Sequence, residues 1–188
     1  MCRDLFPSSR CLFLYRDVVA VAKSAYRLSM VIPTFRLASL LASFSGQMTK
    51  IIAECRGEGC NFCVRLDNDL SLGVLMYAVS TSFYLDMRRR GFDIRAVRYE
   101  DLVARPLDMC RVLMEFCGLP VSLAELAVKA FDADSHRNSI SAKSAIGHFE
   151  DPQLTPKTKA QLNELLQEYG VPLIGEPNIL EGTLSCSE

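Results

Sequence analysis

The side chain best suited to binding chemistry in this sequence is Arg16, because of where it stands. It closes the run Cys11-Leu12-Phe13-Leu14-Tyr15, a short apolar stretch rich in β-formers. Asp17 follows, and then a helix-compatible segment from Val18 to Arg27 with no turn dipeptide between. A buried parallel strand hands over to a helix in this way. In such sheets ligands sit outside the carboxyl ends of the strands. A guanidinium there offers bidentate donors that suit a phosphate, and a helix start offers free N–H groups to the same anion. These residues alone leave two readings open: a phosphate site, or a strand-end arginine paired with a carboxylate.

Other groups capable of chemistry are weaker. Glu100-Asp101 reads as a carboxylate pair for acid–base work or as the corner that ends a strand. His136 and His148 lie in a polar segment, Asp132 to Pro152, where a histidine serves as a base or as a surface hydrogen-bonder. A long polar loop in a compact domain is more often functional than idle. Among eight cysteines, Cys55, Cys60 and Cys63 form a C-x4-C-x2-C cluster. Tetrahedral zinc needs four ligands and a second pair is missing, so no metal site is expected. A disulfide within 55–63 is compatible with an oxidising compartment. Cys11, Cys110 and Cys117 sit in apolar patterns and read as buried thiols.

The elements that must position these groups follow from the pattern of the chain. With 188 residues, 49% hydrophobic and 23% charged, the sequence is long enough for one domain with a real core. Its formal charge of −1 argues against a general nucleic-acid binder. Met1 to Arg10 holds charges, a proline and two serines where a signal peptide needs an apolar core. The longest apolar stretch, Leu28 to Phe44, is broken by Pro33 and Arg36 and falls short of the ~20 residues a span needs. The chain as written reads as soluble, without a transmembrane segment.

A first helix is expected from about Asp17 to Leu28 and a second from Thr34 to about Phe44. Ile51-Ile52-Ala53 fits either strand or helix, and 56–61 is loop. Asn68 or Asp69 caps a long helix from Leu70 to Arg90, with Leu72, Leu75, Met76, Val79, Phe83 and Met87 at helical spacing as its core face. Arg88-Arg89-Arg90 matches the negative end of that helix. Asp93 to Tyr99 alternates like a strand. A helix from Leu107 to Cys117 starts after Pro106 and stops at Gly118. Ser122 is expected to cap a further helix to about Phe131, and Thr155 one running from Pro156 to Tyr169. The tail after Val171 is expected to be mobile.

The opening stretch resembles the 3′-phosphate-binding segment of sulfotransferases that use 3′-phosphoadenosine 5′-phosphosulfate (PAPS). In that family a strand ends in Arg-Asp and a serine follows eight residues after the arginine. Here these are Arg16-Asp17 and Ser24. The Pro-Arg often seen next is Val18-Val19. Val97-Arg98-Tyr99-Glu100-Asp101-Leu102-Val103-Ala104-Arg105-Pro106 is similar to the family's later strand and turn, followed by a helix ending at Phe116-Cys117-Gly118. Ala142-Lys143-Ser144-Ala145-Ile146-Gly147-His148-Phe149 resembles its late nucleotide loop. The resemblance implies that Arg16, Ser24 and Lys143 bind the 3′-phosphate of PAPS, with no metal. It implies Glu100 and Asp101 as mainly a structural corner, and it names no catalytic residue.

By that resemblance the fold is α/β, a P-loop-NTPase-like parallel sheet flanked by helices, helix-rich and truncated at its N-terminus. The 5′-phosphosulfate loop and the usual base would lie ahead of Arg16, where only fifteen residues stand, none of them glycine. Residues 1–188 then form a single partial sulfotransferase-like domain. The implied activity is sulfate transfer from PAPS to a hydroxyl of a carbohydrate or small molecule. The alternative is a non-catalytic remnant that binds nucleotide or packs on a partner. The reading leaves room for a homo-oligomer, and for either the cytoplasm or the Golgi lumen. A P-loop kinase is disfavoured because no G-x-x-x-x-G-K-[ST] occurs.

Overall fold

Strand β1, Cys11–Tyr15, pairs in parallel with β2, Ile94–Arg98, with Cys11 opposite Ile94 and Tyr15 opposite Arg98. β1 supplies the aromatic Phe13 and Tyr15 and β2 the β-branched Ile94 and Val97, side chains that suit a pleated surface. The computed structural model describes residues 10–31, 68–132 and 149–186, and their contacts group into two units. Together they make a mixed α/β, helix-rich chain with two parallel strands.

The first unit takes its described residues from 10–17, 87–132 and 178–186. In it β2 buries Ala96 and Val97, while Leu12 and Leu14 of β1 are exposed. The expectation of a buried strand is therefore corrected for β1, whose only fully covered side chain is Tyr15. Period-two alternation puts Phe13 and Tyr15 on one face, their rings stacked at 6.3 Å, and Leu12 and Leu14 on the other. Residues 182–184 lie along the free edge of β2: Ala96 N–H donates to the Gly182 carbonyl (3.1 Å), and Leu184 N–H donates to the Ala96 carbonyl (2.8 Å).

Beyond β2 the chain turns directly into a short helix, α3 (Tyr99–Ala104), so the corner expected after the strand is helical. Helix α4, Pro106–Cys117, then begins on proline and ends at Gly118, whose φ of 70° lies in the left-handed region. Leu119 N–H closes that end on the Met114 carbonyl at 2.8 Å. The single helix expected after Ser122 is instead three pieces: a 3₁₀ turn Val121–Leu123, helix α5 (Ala124–Val128) and a 3₁₀ turn Lys129–Asp132. Ser122 lies inside the first turn, and the cap positions of the first two pieces, Pro120 and Leu123, supply no side-chain acceptor. Short 3₁₀ pieces are frequent at helix ends and as connectors.

The second unit takes its described residues from 18–31, 68–86 and 149–177. Its core joins helix α1 (Val18–Val31), helix α2 (Ser71–Arg89) and helix α6 (Pro156–Glu168) through Val18, Ala22, Val74, Tyr77, Ala78, Leu162, Leu165 and Leu166. Asn68 starts α2 by accepting the Leu70 N–H on its side chain (3.0 Å), and its own N–H donates to Ser71 Oγ (3.2 Å). Thr155 caps α6, its Oγ1 accepting the Thr158 N–H at 3.1 Å.

The face of α2 that is buried is not the one its large apolar residues mark. Met76 and Phe83 are exposed, while Gly73, Val74, Tyr77, Ala78 and Thr81 are buried. Gly73 lets the two helix backbones meet, since a Cβ there would lie 2.4 Å from the Ala22 Cα. The sequence expectations for 34–44, 51–53 and 56–61 lie outside the described residues, as does most of the polar segment.

Candidate functional site

Parallel register sets Tyr15 beside Arg98, so the chain leaves both strands at the same end of the sheet. The residues just beyond, Arg16 after β1 and Tyr99 after β2, meet there. The Arg16 guanidinium lies 4.8 Å from the centre of the Tyr99 ring, a cation–π contact of about 0.5–1 kcal/mol at an exposed position. Its Nε is 4.0 Å from Glu100 Oε1, the loose limit of an ion pair, and its side chain keeps 46% of its surface in solvent.

Glu100 is more firmly committed elsewhere. Its Oε1 accepts the Asp17 N–H at 2.9 Å, and its Oε2 lies 3.5 Å from Arg98 Nε. Arg98 also reaches Asp101, Nη1 to Oδ1, at 3.7 Å. Both carboxylates are therefore bound into the corner between β2 and α3, which suits positioning better than proton transfer. Exposed pairs of this kind contribute little each, roughly 0–1 kcal/mol. Arg16, with the longest of these pairings, is the cation with most to gain from a further anion.

Ser24 is exposed on α1 and belongs to the second unit, whereas Arg16 belongs to the first. Around it Lys23 Nζ lies 3.4 Å from Asp151 Oδ2, and Arg27 Nη2 lies 2.7 Å from Asp151 Oδ1. Arg27 Nε donates to that same oxygen at 2.8 Å. The two cations that flank Ser24 in sequence thus share one aspartate. Lys143, His136, His148, Cys55, Cys60 and Cys63 lie outside the described residues.

Among the described residues no group of three or more His, Cys, Asp or Glu is placed to hold a metal ion, and no helix is long and apolar enough to cross a membrane. Of the thiols expected to be buried, only Cys110 is. Cys11 opens a strand whose first two residues are uncovered, and Cys117 ends α4 at its solvent side, so both are exposed. Burial pushes the Cys110 thiol above its ordinary value, which keeps it protonated and a poor nucleophile.

Two residues of this corner escaped the sequence reading. Tyr99 was seen only as part of a strand, yet it is the platform under Arg16; its place one step past a strand parallel to β1 was the available signal. Tyr15 looked like one more β-former, and its hydroxyl is the anchor for residues 178–183. No protein-family model, curated protein or solved structure matches this chain.

Proposed function

We propose that this chain carries the 3′-phosphate-binding part of a PAPS-dependent sulfotransferase, built on a P-loop-NTPase-like parallel sheet. The observation that supports the reading best is the setting of Arg16. A half-exposed guanidinium stands at the carboxyl end of a parallel strand, backed by the Tyr99 ring and only loosely paired with Glu100. Arginine in that setting binds phosphate through two parallel hydrogen bonds. Ser24 and Lys143 are assigned with it by resemblance, Ser24 donating its hydroxyl and Lys143 adding charge.

In the reaction, the acceptor hydroxyl oxygen forms a bond to sulfur while the bond from sulfur to the 5′-phosphate oxygen breaks. The hydroxyl proton passes to a base. Such transfer demands in-line placement and charge stabilisation. Arg16 serves placement by holding the nucleotide at its far phosphate. The acceptor is a carbohydrate or small-molecule hydroxyl, and the base is unassigned.

Saturating 3′-phosphoadenosine 5′-phosphate is expected to raise the melting temperature of the chain, by about 2.7 kcal/mol of added stability at a hundredfold excess over Kd. Arg16→Ala removes the rise. An unchanged melting curve for the unaltered chain would sink the reading. A second reading, nucleotide binding without transfer, is favoured by the commitment of both Glu100 and Asp101 to the corner. Assaying transfer of labelled sulfate from PAPS to a panel of hydroxyl acceptors separates the two.

A further inference from the structure

The hydroxyl of Tyr15 is buried, with the residue only 4% exposed, and its partners all come from one later segment. Leu180 N–H donates to it at 3.3 Å. Thr183 Oγ1 lies 3.0 Å away, and the Asn178 carbonyl 3.4 Å away. Thr183 gives its own proton to the Leu180 carbonyl at 2.6 Å. A phenol has one proton to donate, and the nearer acceptor, Thr183 Oγ1, takes it. The result is a closed ring of three hydrogen bonds, Tyr15 to Thr183, Thr183 to Leu180, and Leu180 back to Tyr15. Chains of this kind polarise one another and strengthen together.

The same segment also reaches the next residue. Asn178 Nδ2 donates to the Arg16 carbonyl at 3.4 Å. Leu180 is buried at 3% exposure, and residues 182–184 bond to β2 on the far edge of the sheet. Residues 178–184 thus strap across the sheet, holding the Tyr15 side chain ahead of Arg16 and the Arg16 carbonyl behind it. The planar Arg16–Asp17 peptide is held at its carbonyl by Asn178 and at its N–H by Glu100, which restricts the direction in which the Arg16 side chain leaves. A binding group is as precise as the shell that supports it.

We infer that residues 178–184 set the aim of Arg16 through Tyr15, making Tyr15 a positioning residue for recognition of a nucleotide 3′-phosphate. This rests on the reading of Arg16 given above. The strap discriminates among ligands: it governs the affinity that the 3′-phosphate adds and leaves contacts to the rest of the nucleotide alone.

The test is isothermal titration of the full chain with 3′-phosphoadenosine 5′-phosphate and with adenosine 5′-phosphate, which lacks the 3′-phosphate. Variants are Arg16→Ala, Tyr15→Phe and Asn178→Ala, the last removing the long contact to the Arg16 carbonyl. Near-ultraviolet circular dichroism checks that each is folded. Tyr15→Phe is expected to weaken the 3′-phosphorylated nucleotide about five- to tenfold, the scale of one hydrogen bond. Asn178→Ala does so about twofold, and neither changes affinity for adenosine 5′-phosphate. Equal weakening of both nucleotides would reduce Tyr15 to general stability and overturn the inference. Retained discrimination in folded Tyr15→Phe, with discrimination lost in Arg16→Ala, overturns the inference alone. Should Tyr15→Phe fail to fold, Asn178→Ala decides by the same ratio. No discrimination in the unaltered chain removes both the inference and the reading beneath it.

Discussion

At the residue scale, the balance at Arg16 turns on Glu100. A carboxylate 4.0 Å from Nε competes with any phosphate for the same guanidinium. Glu100 also accepts the Asp17 N–H, so deleting the side chain would orphan a donor. Glu100→Gln separates the two roles, because the amide oxygen still accepts while the charge is gone. An exposed pair at this distance is worth up to about 1 kcal/mol. Binding of 3′-phosphoadenosine 5′-phosphate is therefore expected to tighten about two- to fivefold in Glu100→Gln, read by titration at low salt. A Kd that stays level or rises would mean that Glu100 helps the arginine face its ligand. The sequence alone left Arg16 between a phosphate ligand and a paired cation. The structure gives a half-exposed cation in a loose pair, which no spacing rule conveys.

At the element scale, what was legible was the order and extent of the main elements: β1, α1, α2, β2, α4 and α6 fall within a few residues of the pattern. Periodicity and punctuation carry that information, as Gly118 and Thr155 illustrate. What was not legible was which face of α2 is inside. Large apolar residues nominated Met76 and Phe83, but the face that is buried carries Gly73 and Ala78, with Gly73 set against the Ala22 backbone. Gly73→Ala tests this. Alanine gains about 1 kcal/mol of helix propensity, yet its Cβ would fall 2.4 Å from the Ala22 backbone. Overpacking costs about 1–3 kcal/mol, and more where backbone must shift. A net loss of about 1–2 kcal/mol is expected in urea unfolding. A gain in stability would show that the contact yields easily. The segment after Ser122 failed for a plainer reason: a serine caps only where its own backbone is non-helical, and Ser122 lies inside a 3₁₀ turn.

For the whole molecule, the division into two units makes the tail matter more to one than to the other. Residues 178–184 belong to the sheet unit, whereas Leu162, Leu166 and Ile174 build the helical one. Ending the chain at Pro177 removes the acceptor of the Ala96 N–H and every named partner of the Tyr15 hydroxyl. Hydrogen exchange on that shortened chain is expected to lose protection at 94–98 and to keep it at 162–166. Parallel loss at both places would show that the units unfold as one. The tail was expected to be mobile because its proline, glycines and terminal serine look like loose ends. Composition gave no sign of Leu180 or of a threonine placed to meet a buried phenol.

The ring of Tyr15, Thr183 and Leu180 also bears on how the protein is made. Translation delivers β1 early, β2 well after it, and the strap later still, so a nascent chain holds Arg16 long before anything can aim it. Until residue 183 clears the ribosome, the Tyr15 hydroxyl lacks these partners and the outer edge of β2 lacks its last bonds. The corner around Arg16 is thus among the last features to mature, and an interrupted chain would carry the arginine without its strap.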